Sequence, residues 1–125
     1  MLQENQEMIK NLFLNEKYHK VRKLTSKLIS LSPKNAELYS IRGRAFRCQH
    51  FYKKAHEDFM QAYLLNPNSI VSKEDAYQSI LDKTFSDLLR QYFDKGKKKQ
   101  TITKIIELIS TATKFNTSLS NSKFE

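Results

Sequence analysis

Residues 36 to 67 read AELYSIRGRAFRCQHFYKKAHEDFMQAYLLNP, and this stretch predicts two amphipathic helices that fold back on each other. Apolar and small residues recur at helical spacing in both halves: Leu38, Tyr39, Gly43, Ala45 and Phe46, then Ala55, Phe59, Ala62, Tyr63 and Leu65. Only His50 to Tyr52 remain between the helices, which is enough for a tight turn. Pro67 ends the second helix because it lacks a backbone N–H. We expect Gly43 and Ala55 to let the two backbones approach closely.

The order of these residues resembles a tetratricopeptide repeat, the 34-residue helix-turn-helix unit. The matching places are an aromatic, a small residue and a second aromatic on the first helix, then the second helix and its closing proline: Tyr39, Gly43, Phe46, Tyr52, Ala55, Phe59, Ala62 and Pro67. The one departure is Arg42, where an aliphatic residue is usual, and Ile41 beside it is expected to compensate. The resemblance implies an all-α fold, a tetratricopeptide-type helical hairpin array.

Shifting the frame back by 34 residues predicts a first, degenerate repeat over residues 2–35, before the well-matched repeat over 36–69. Five equivalent places agree: Leu12, Tyr18, Val21, Leu28 and Pro33. Asn5, Ile9 and Thr25 depart from the pattern, as expected of a terminal repeat that faces water on one side. We expect helices at Leu2 to Leu14 and Tyr18 to Leu31.

After Pro67 the pattern predicts additional C-terminal helices over residues 70–115. Ser72 and Asp75 resemble a capping box, and one long helix with a broad apolar stripe is expected from Lys73 to Asp94. This helix starts where a third repeat would, but it has no break where that repeat must turn. Gly96 suits a helix C-cap, residues 101–115 predict a last helix, and residues 116–125 a flexible tail.

The net charge is +9, and the basic residues form three groups: residues 17–27, residues 42–54 and residues 95–104. Such a protein could meet nucleic acid, an anionic membrane surface or acidic peptides, and the lysines could equally be a solvated surface. One cysteine fits a reducing compartment, and no apolar run is long enough to span a membrane. Glu4 and Glu7 argue against a targeting peptide. We expect an intracellular, most simply cytoplasmic, protein.

No catalytic or metal-binding pattern stands out in the sequence. His19, His50 and His56 lack metal-ligand spacing and are expected at the surface or in turns, and Cys48 is expected to be half-buried. The acidic pairs at 57–58 and 74–75 are most simply first-turn charges that the helix dipole favours. Only two glycines occur, so no glycine-rich phosphate loop exists. We expect a protein that is not an enzyme and needs no cofactor.

The resemblance implies that the first helix of each hairpin lines a concave groove that takes a peptide or a partner's helix. The groove would be lined from the first repeat by Gln3, Gln6, Lys10 and Phe13, and from the second by Glu37, Ser40, Arg44, Arg47 and Cys48. Its basic residues suit an acidic segment. The carboxylate clamp of co-chaperones in this family is not expected, because Gln6, Lys10 and Ile41 hold the clamp places and a third regular repeat is missing.

Two functions follow as hypotheses. The first is a protein–protein interaction adaptor, or scaffold subunit, that docks on a larger assembly through the basic groove and the apolar C-terminal helices. The alternative is an RNA- or DNA-binding accessory subunit of a ribonucleoprotein that uses the basic clusters. In that case phosphate contacts would come from Lys95, Lys97, Lys98 and Lys99.

Overall fold

The computed structural model describes residues 3–94 and 98–123, which contain six helices and no β-strand. The helices are α1 (Gln3–Leu14), α2 (Tyr18–Leu31), α3 (Ala36–Cys48), α4 (Tyr52–Leu65), α5 (Ile70–Asp94) and α6 (Lys98–Lys123). Helix α1 packs on α2, α2 on α3, and α3 on α4. The expected all-α class of packed, repeated helical hairpins is confirmed.

The two hairpins repeat their backbone with a 34-residue period. The left-handed turn residue is Glu16 in the first hairpin (φ 57°) and His50 in the second (φ 64°), 34 positions apart. The hydrogen bonds that close the turn are the same: Lys17 N–H donates to Leu12 O at 2.8 Å, and Phe51 N–H donates to Phe46 O at 2.9 Å. The first repeat is therefore degenerate in its side chains but not in its backbone.

The contact between α3 and α4 depends on Gly43, as expected. A Cβ added at Gly43 would lie 2.9 Å from Cε1 of Phe59, so only a residue without a side chain lets this fully buried ring sit against the α3 backbone. Ala55 and Ala62 lie on α4 with Phe59 and are also buried. Ile41 is buried and belongs to a hydrophobic cluster with Ile9, Val21 and Ala45. Ile41 thus supplies the apolar side chain that Arg42 does not.

The first hairpin exchanges the sizes of the residues in the equivalent places. Ile9 occupies the place that Gly43 has in the second hairpin, and it is buried. Thr25 occupies the place of Phe59, and it is fully buried. Thr25 Oγ1 donates to the carbonyl oxygen of Val21 at 2.7 Å, which satisfies its buried hydroxyl. The large residue is therefore on the first helix of this hairpin and the small one on the second, the reverse of the order in the second hairpin.

Helix α5 is one uninterrupted helix, as predicted, but it begins at Ile70 rather than Lys73. The expected capping box at Ser72 and Asp75 is wrong, because the hydroxyl of Ser69 caps the helix by accepting the N–H of Ser72 at 3.2 Å. Ser69 stands 34 positions after Asn35, whose side chain caps α3. The start of α5 therefore keeps the 34-residue register of the start of α3.

Helix α6 is longer at both ends than the predicted helix over residues 101–115. It continues through most of the expected tail, to Lys123, because neither Gly nor Pro follows Gly96. The Ser, Thr and Asn residues there cost a helix at most about 0.7 kcal/mol each. The C-cap expected at Gly96 lies outside the described residues.

The chain divides into two compact units, residues 1–80 and 81–125, so the division falls within α5. The first unit contains both hairpins and the start of α5, because the first turns of α5 contact α3 and α4 through Asp75 and Ser79. The second unit contains the rest of α5 and α6. Large apolar side chains are exposed along both of its helices, namely Phe85, Leu89, Phe93, Ile102, Ile106 and Ile109.

Candidate functional site

The residues predicted to line the groove occupy equivalent places on α1 and α3, 34 positions apart in pairs. The pairs are Gln6 with Ser40, Lys10 with Arg44, and Phe13 with Arg47. Gln6 and Lys10 are exposed, and Ser40 is half-buried. Phe13 instead packs against the hydrophobic cluster, with its ring centroid 5.9 Å from that of Tyr18. Phe13 is therefore mainly a packing residue.

Two of the three arginines of α3, Arg44 and Arg47, converge on one carboxylate of α5. Nη2 of Arg44 lies 3.6 Å from Oδ2 of Asp75, and Nη2 of Arg47 lies 4.0 Å from Oδ1. Both distances exceed that of a good charge-assisted hydrogen bond, and Oδ2 accepts no hydrogen bond from the described residues. Two guanidinium groups beside one carboxylate leave a net positive charge. Some of the guanidinium N–H groups therefore remain available to a ligand. The expectation of a first-turn charge is wrong for Asp75, because α5 begins at Ile70 and Asp75 is its sixth residue.

Arg47 is also held by an aromatic ring. Its guanidinium carbon lies 5.0 Å from the centroid of Phe59, which restricts the side chain through a cation–π contact. Arg44 is the more accessible arginine, with 47% of its side chain exposed. A bound anion would therefore meet one restricted guanidinium, Arg47, and one more exposed guanidinium, Arg44.

Arg42, two residues before Arg44, belongs to the core of the hairpin rather than to a surface charge cluster. Its Nη2 donates to Oδ1 of Asp58 at 2.7 Å, and its Nε donates to Oδ2 at 2.8 Å. These hydrogen bonds raise the pKa of Arg42 above its usual value. Asp58, expected as a first-turn charge, is instead the seventh residue of α4 and is buried. A third donor, Nη1, reaches Ser26 Oγ at 3.2 Å, so Arg42 links α2, α3 and α4.

The aromatic rings beside the second basic group are covered by cations. The guanidinium of Arg22 lies 5.0 Å from the Phe46 centroid and 5.5 Å from that of Phe51. The ammonium of Lys54 lies 5.7 Å and 6.0 Å from the same two centroids. These contacts compete with base stacking, which needs an open aromatic face.

The histidines have separate structural roles. Nδ1 of His56 lies 2.9 Å from Ser79 Oγ, whose own hydroxyl donates to Ala76 O at 2.6 Å, so His56 Nδ1 is the donor. The expectation that His56 lies at the surface or in a turn is wrong, because it is half-buried where α4 meets α5. His50 lies in the turn, 2.7 Å from the Tyr52 hydroxyl, and His19 contacts Arg22 on α2. No cluster of potential metal ligands occurs among the described residues.

Cys48 is exposed rather than half-buried as expected, because it is the last residue of α3. Its thiol neighbours the phenol of Tyr18. Partial desolvation, followed by the charge and hydrogen bond of Cys48, raises the pKa of Tyr18 above its usual value. The contact joins the end of α3 to the start of α2.

Only two of the four candidate phosphate-binding lysines belong to the described residues. Lys95 and Lys97 lie outside the described residues, and Lys98 and Lys99 open α6. Gln3 and Glu37 are on α1 and α3, as expected.

Neither models of protein families nor curated proteins match this chain. Within residues 3–94 and 98–123, no helix is both long enough and apolar enough to cross a membrane.

Asp58, Asp75 and His56 are the residues whose roles the sequence did not reveal. Arg42 carried a usable signal, because a charged residue in an aliphatic place of a packed helix requires a buried partner of opposite charge. Asp58 is a carboxylate on the facing helix and could have been proposed as that partner.

Proposed function

We propose that this protein is a non-catalytic, intracellular adaptor that docks on a larger protein assembly, and that its two hairpins are tetratricopeptide repeats. The 34-residue repetition of turns, caps and helix ends supports the second point. The observation that carries the first is the pair Arg44 and Arg47, which share Asp75 and retain unused donors. The proposed ligand of this basic groove is an acidic segment or helix of the partner.

Asp75 acts in this proposal as an internal competitor for the ligand. A ligand carboxylate that approaches Arg44 replaces a contact of 3.6 Å, which is too long to be a strong hydrogen bond. The exchange therefore costs little, although each exposed ion pair contributes only about 1 kcal/mol or less. A partner needs several such contacts, or apolar contacts as well, to bind tightly.

The exposed apolar side chains of the second unit supply the second proposed docking element. Phe93 is 75% exposed, and Ile106 and Ile109 are more than half exposed. Exposed apolar patches of this kind mark interaction sites in many proteins. An assembly that covers them would bury apolar area that the isolated chain leaves in water.

The alternative, an RNA- or DNA-binding accessory subunit, rests on the basic run over residues 17–27 and on the lysines at 95–99. The cations over Phe46 and Phe51 argue against base stacking by these rings. Binding by phosphate contacts alone would fall steeply with salt.

The test is a tagged pull-down of the full chain from native lysate at near-physiological salt, with and without nuclease. We expect a discrete set of protein partners that survives nuclease. The double variant Arg44→Glu/Arg47→Glu should lose them, whereas Asp75→Asn should retain more partner, because it removes the competing charge at nearly constant shape.

The matched control is Lys34→Glu/Lys53→Glu, which makes the same change in net charge at two exposed lysines away from the groove. Far-UV circular dichroism checks that every variant stays helical. Loss of all partners on nuclease treatment would favour the nucleic-acid alternative. Unchanged capture by the arginine variant would place the interface outside the groove.

A further inference from the structure

A cavity of about 320 Å³ lies between α1 and α2, on the first hairpin. Its apolar lining comes from both helices and consists of Met8, Leu12 and Leu24. Its basic lining comes from α2 alone and consists of Lys20, Lys23 and Lys27. These residues are different from the groove residues on α1 and α3. The cavity is therefore a separate surface, independent of the proposed function.

Helical spacing explains why the lysines stand in a row beside an apolar floor. Val21 and Thr25 of α2 are buried in the core, which turns Lys20, Lys23 and Lys27 outward. Because an α-helix rises 1.5 Å per residue, the row extends about 10 Å along α2. The alkyl stems of lysines can border apolar surface while their ammonium groups stay in water.

The lysine row carries a positive charge that the hairpin does not neutralise. The segment from Lys17 to Lys27 contains no acidic residue. In the described part of the chain, no carboxylate lies within ion-pair distance of Lys20, Lys23 or Lys27. The floor is equally uncovered, since Met8 is 52% exposed.

We propose that this cavity binds an amphipathic helix of a partner protein, with a row of carboxylates beside its apolar face. Carboxylates at i, i+3 or i+4, and i+7 of the partner follow the same rise as the lysine row, so three ion pairs form side by side. The apolar side chains next to those carboxylates enter the floor formed by Met8, Leu12 and Leu24.

Charge and shape favour this occupant over a lipid surface or a nucleic acid. A membrane-binding amphipathic helix buries a long apolar face in lipid, whereas the apolar lining here is three side chains, Met8, Leu12 and Leu24. A nucleic acid would pair with the lysines but gain nothing from the floor, since none of the lining residues is aromatic. A helix with acidic and apolar stripes uses both parts of the cavity.

The test uses a fluorescein-labelled helical peptide of about five turns, with leucines spaced to form one stripe and glutamates along its edge. Binding to the full chain is followed by fluorescence anisotropy. We expect saturable binding that the triple variant Lys20→Glu/Lys23→Glu/Lys27→Glu weakens about tenfold or more. Met8→Asp should also weaken it, and Met8→Leu should preserve it.

The charge-matched control is Lys34→Glu/Lys53→Glu/Lys73→Glu, at three exposed lysines that do not line the cavity. This control should change the affinity by no more than about twofold. An equal loss with the lysine control would show that net charge alone drives binding and would overturn the proposal.

Two further outcomes would overturn it. One is the absence of saturable binding below about 1 mM peptide. The other is displacement of the peptide from the wild-type chain by oligouridylate, or by phosphatidylserine vesicles, at a lower concentration than unlabelled peptide requires. Either displacement would assign the lysine row to phosphate groups rather than to a partner helix.

Discussion

Substituting Arg42 with methionine is expected to destabilise the fold far more than the same substitution at Arg44. Only 7% of the Asp58 side chain is exposed, and the carboxylate accepts hydrogen bonds of 2.7 and 2.8 Å from Arg42. Methionine keeps the long apolar stem of arginine but removes the charge and the donors. The carboxylate of Asp58 then stays buried without the positive charge and the hydrogen-bond donors of Arg42.

The size of the effect follows from burial. Removing one partner of a buried ion pair costs about 3–5 kcal/mol, because the other charge stays desolvated. Since 22% of the Arg42 side chain remains exposed, we expect the lower end, about 3 kcal/mol. Arg44 is 47% exposed, and its 3.6 Å contact with Asp75 is too long for a strong hydrogen bond, so Arg44→Met should cost about 1 kcal/mol or less.

Urea unfolding followed by far-UV circular dichroism measures both values, with an unchanged m-value showing that the two states are comparable. The double variant Arg42→Met/Asp58→Leu should recover most of the lost stability, because an apolar pair avoids the desolvation of both charges. Equal costs for Arg42→Met and Arg44→Met would refute this reasoning. So would strictly additive effects in the double variant.

Two further predictions concern the contacts around the second hairpin. Gly43→Ala should lower the melting temperature, because a Cβ 2.9 Å from Phe59 costs about 1–3 kcal/mol of overpacking, whereas alanine gains only about 1 kcal/mol in helix propensity. In a Phe59→Leu background the same substitution should stabilise the fold, because the clashing ring is gone. The raised pKa of Tyr18 favours its neutral phenol in the folded state, so this stabilisation is complete below pH 10 and is lost as pH rises through the raised pKa. Cys48→Ala should bring the pKa of Tyr18 closer to its usual value, which ultraviolet titration of tyrosinate absorbance would detect.

The backbone of the hairpins could be predicted from the sequence because its determinants are local. Apolar periodicity and the turn at residues 15–17 predicted α1 and α2 to within one residue at each described end. The left-handed conformations of Glu16 and His50 fall in the expected turns, although neither residue is the glycine that such a backbone favours. The 34-residue spacing predicted the first hairpin even though Asn5, Ile9 and Thr25 depart from the residue pattern.

The side-chain partners could not be predicted in the same way because they join different helices. Arg42 meets Asp58 across 16 residues and His56 meets Ser79 across 23, whereas the sequence rules for ion pairs cover neighbours three or four positions apart on one helix. Glu57 and Asp58 are adjacent, yet only Asp58 is buried. Which of two neighbouring carboxylates turns inward depends on how α3 and α4 pack.

The length of α5 follows from a single turn that does not form. Thr84 stands 34 positions after His50, in the place where each hairpin needs a left-handed residue. A β-branched residue strongly disfavours positive φ, so the helix continues through Thr84 instead of turning back. In a third hairpin the residues after Thr84 would fold back and pack against residues 70–83, but in the uninterrupted helix Phe85, Leu89 and Phe93 are exposed instead. Because no third hairpin forms, these apolar side chains remain available to the proposed assembly.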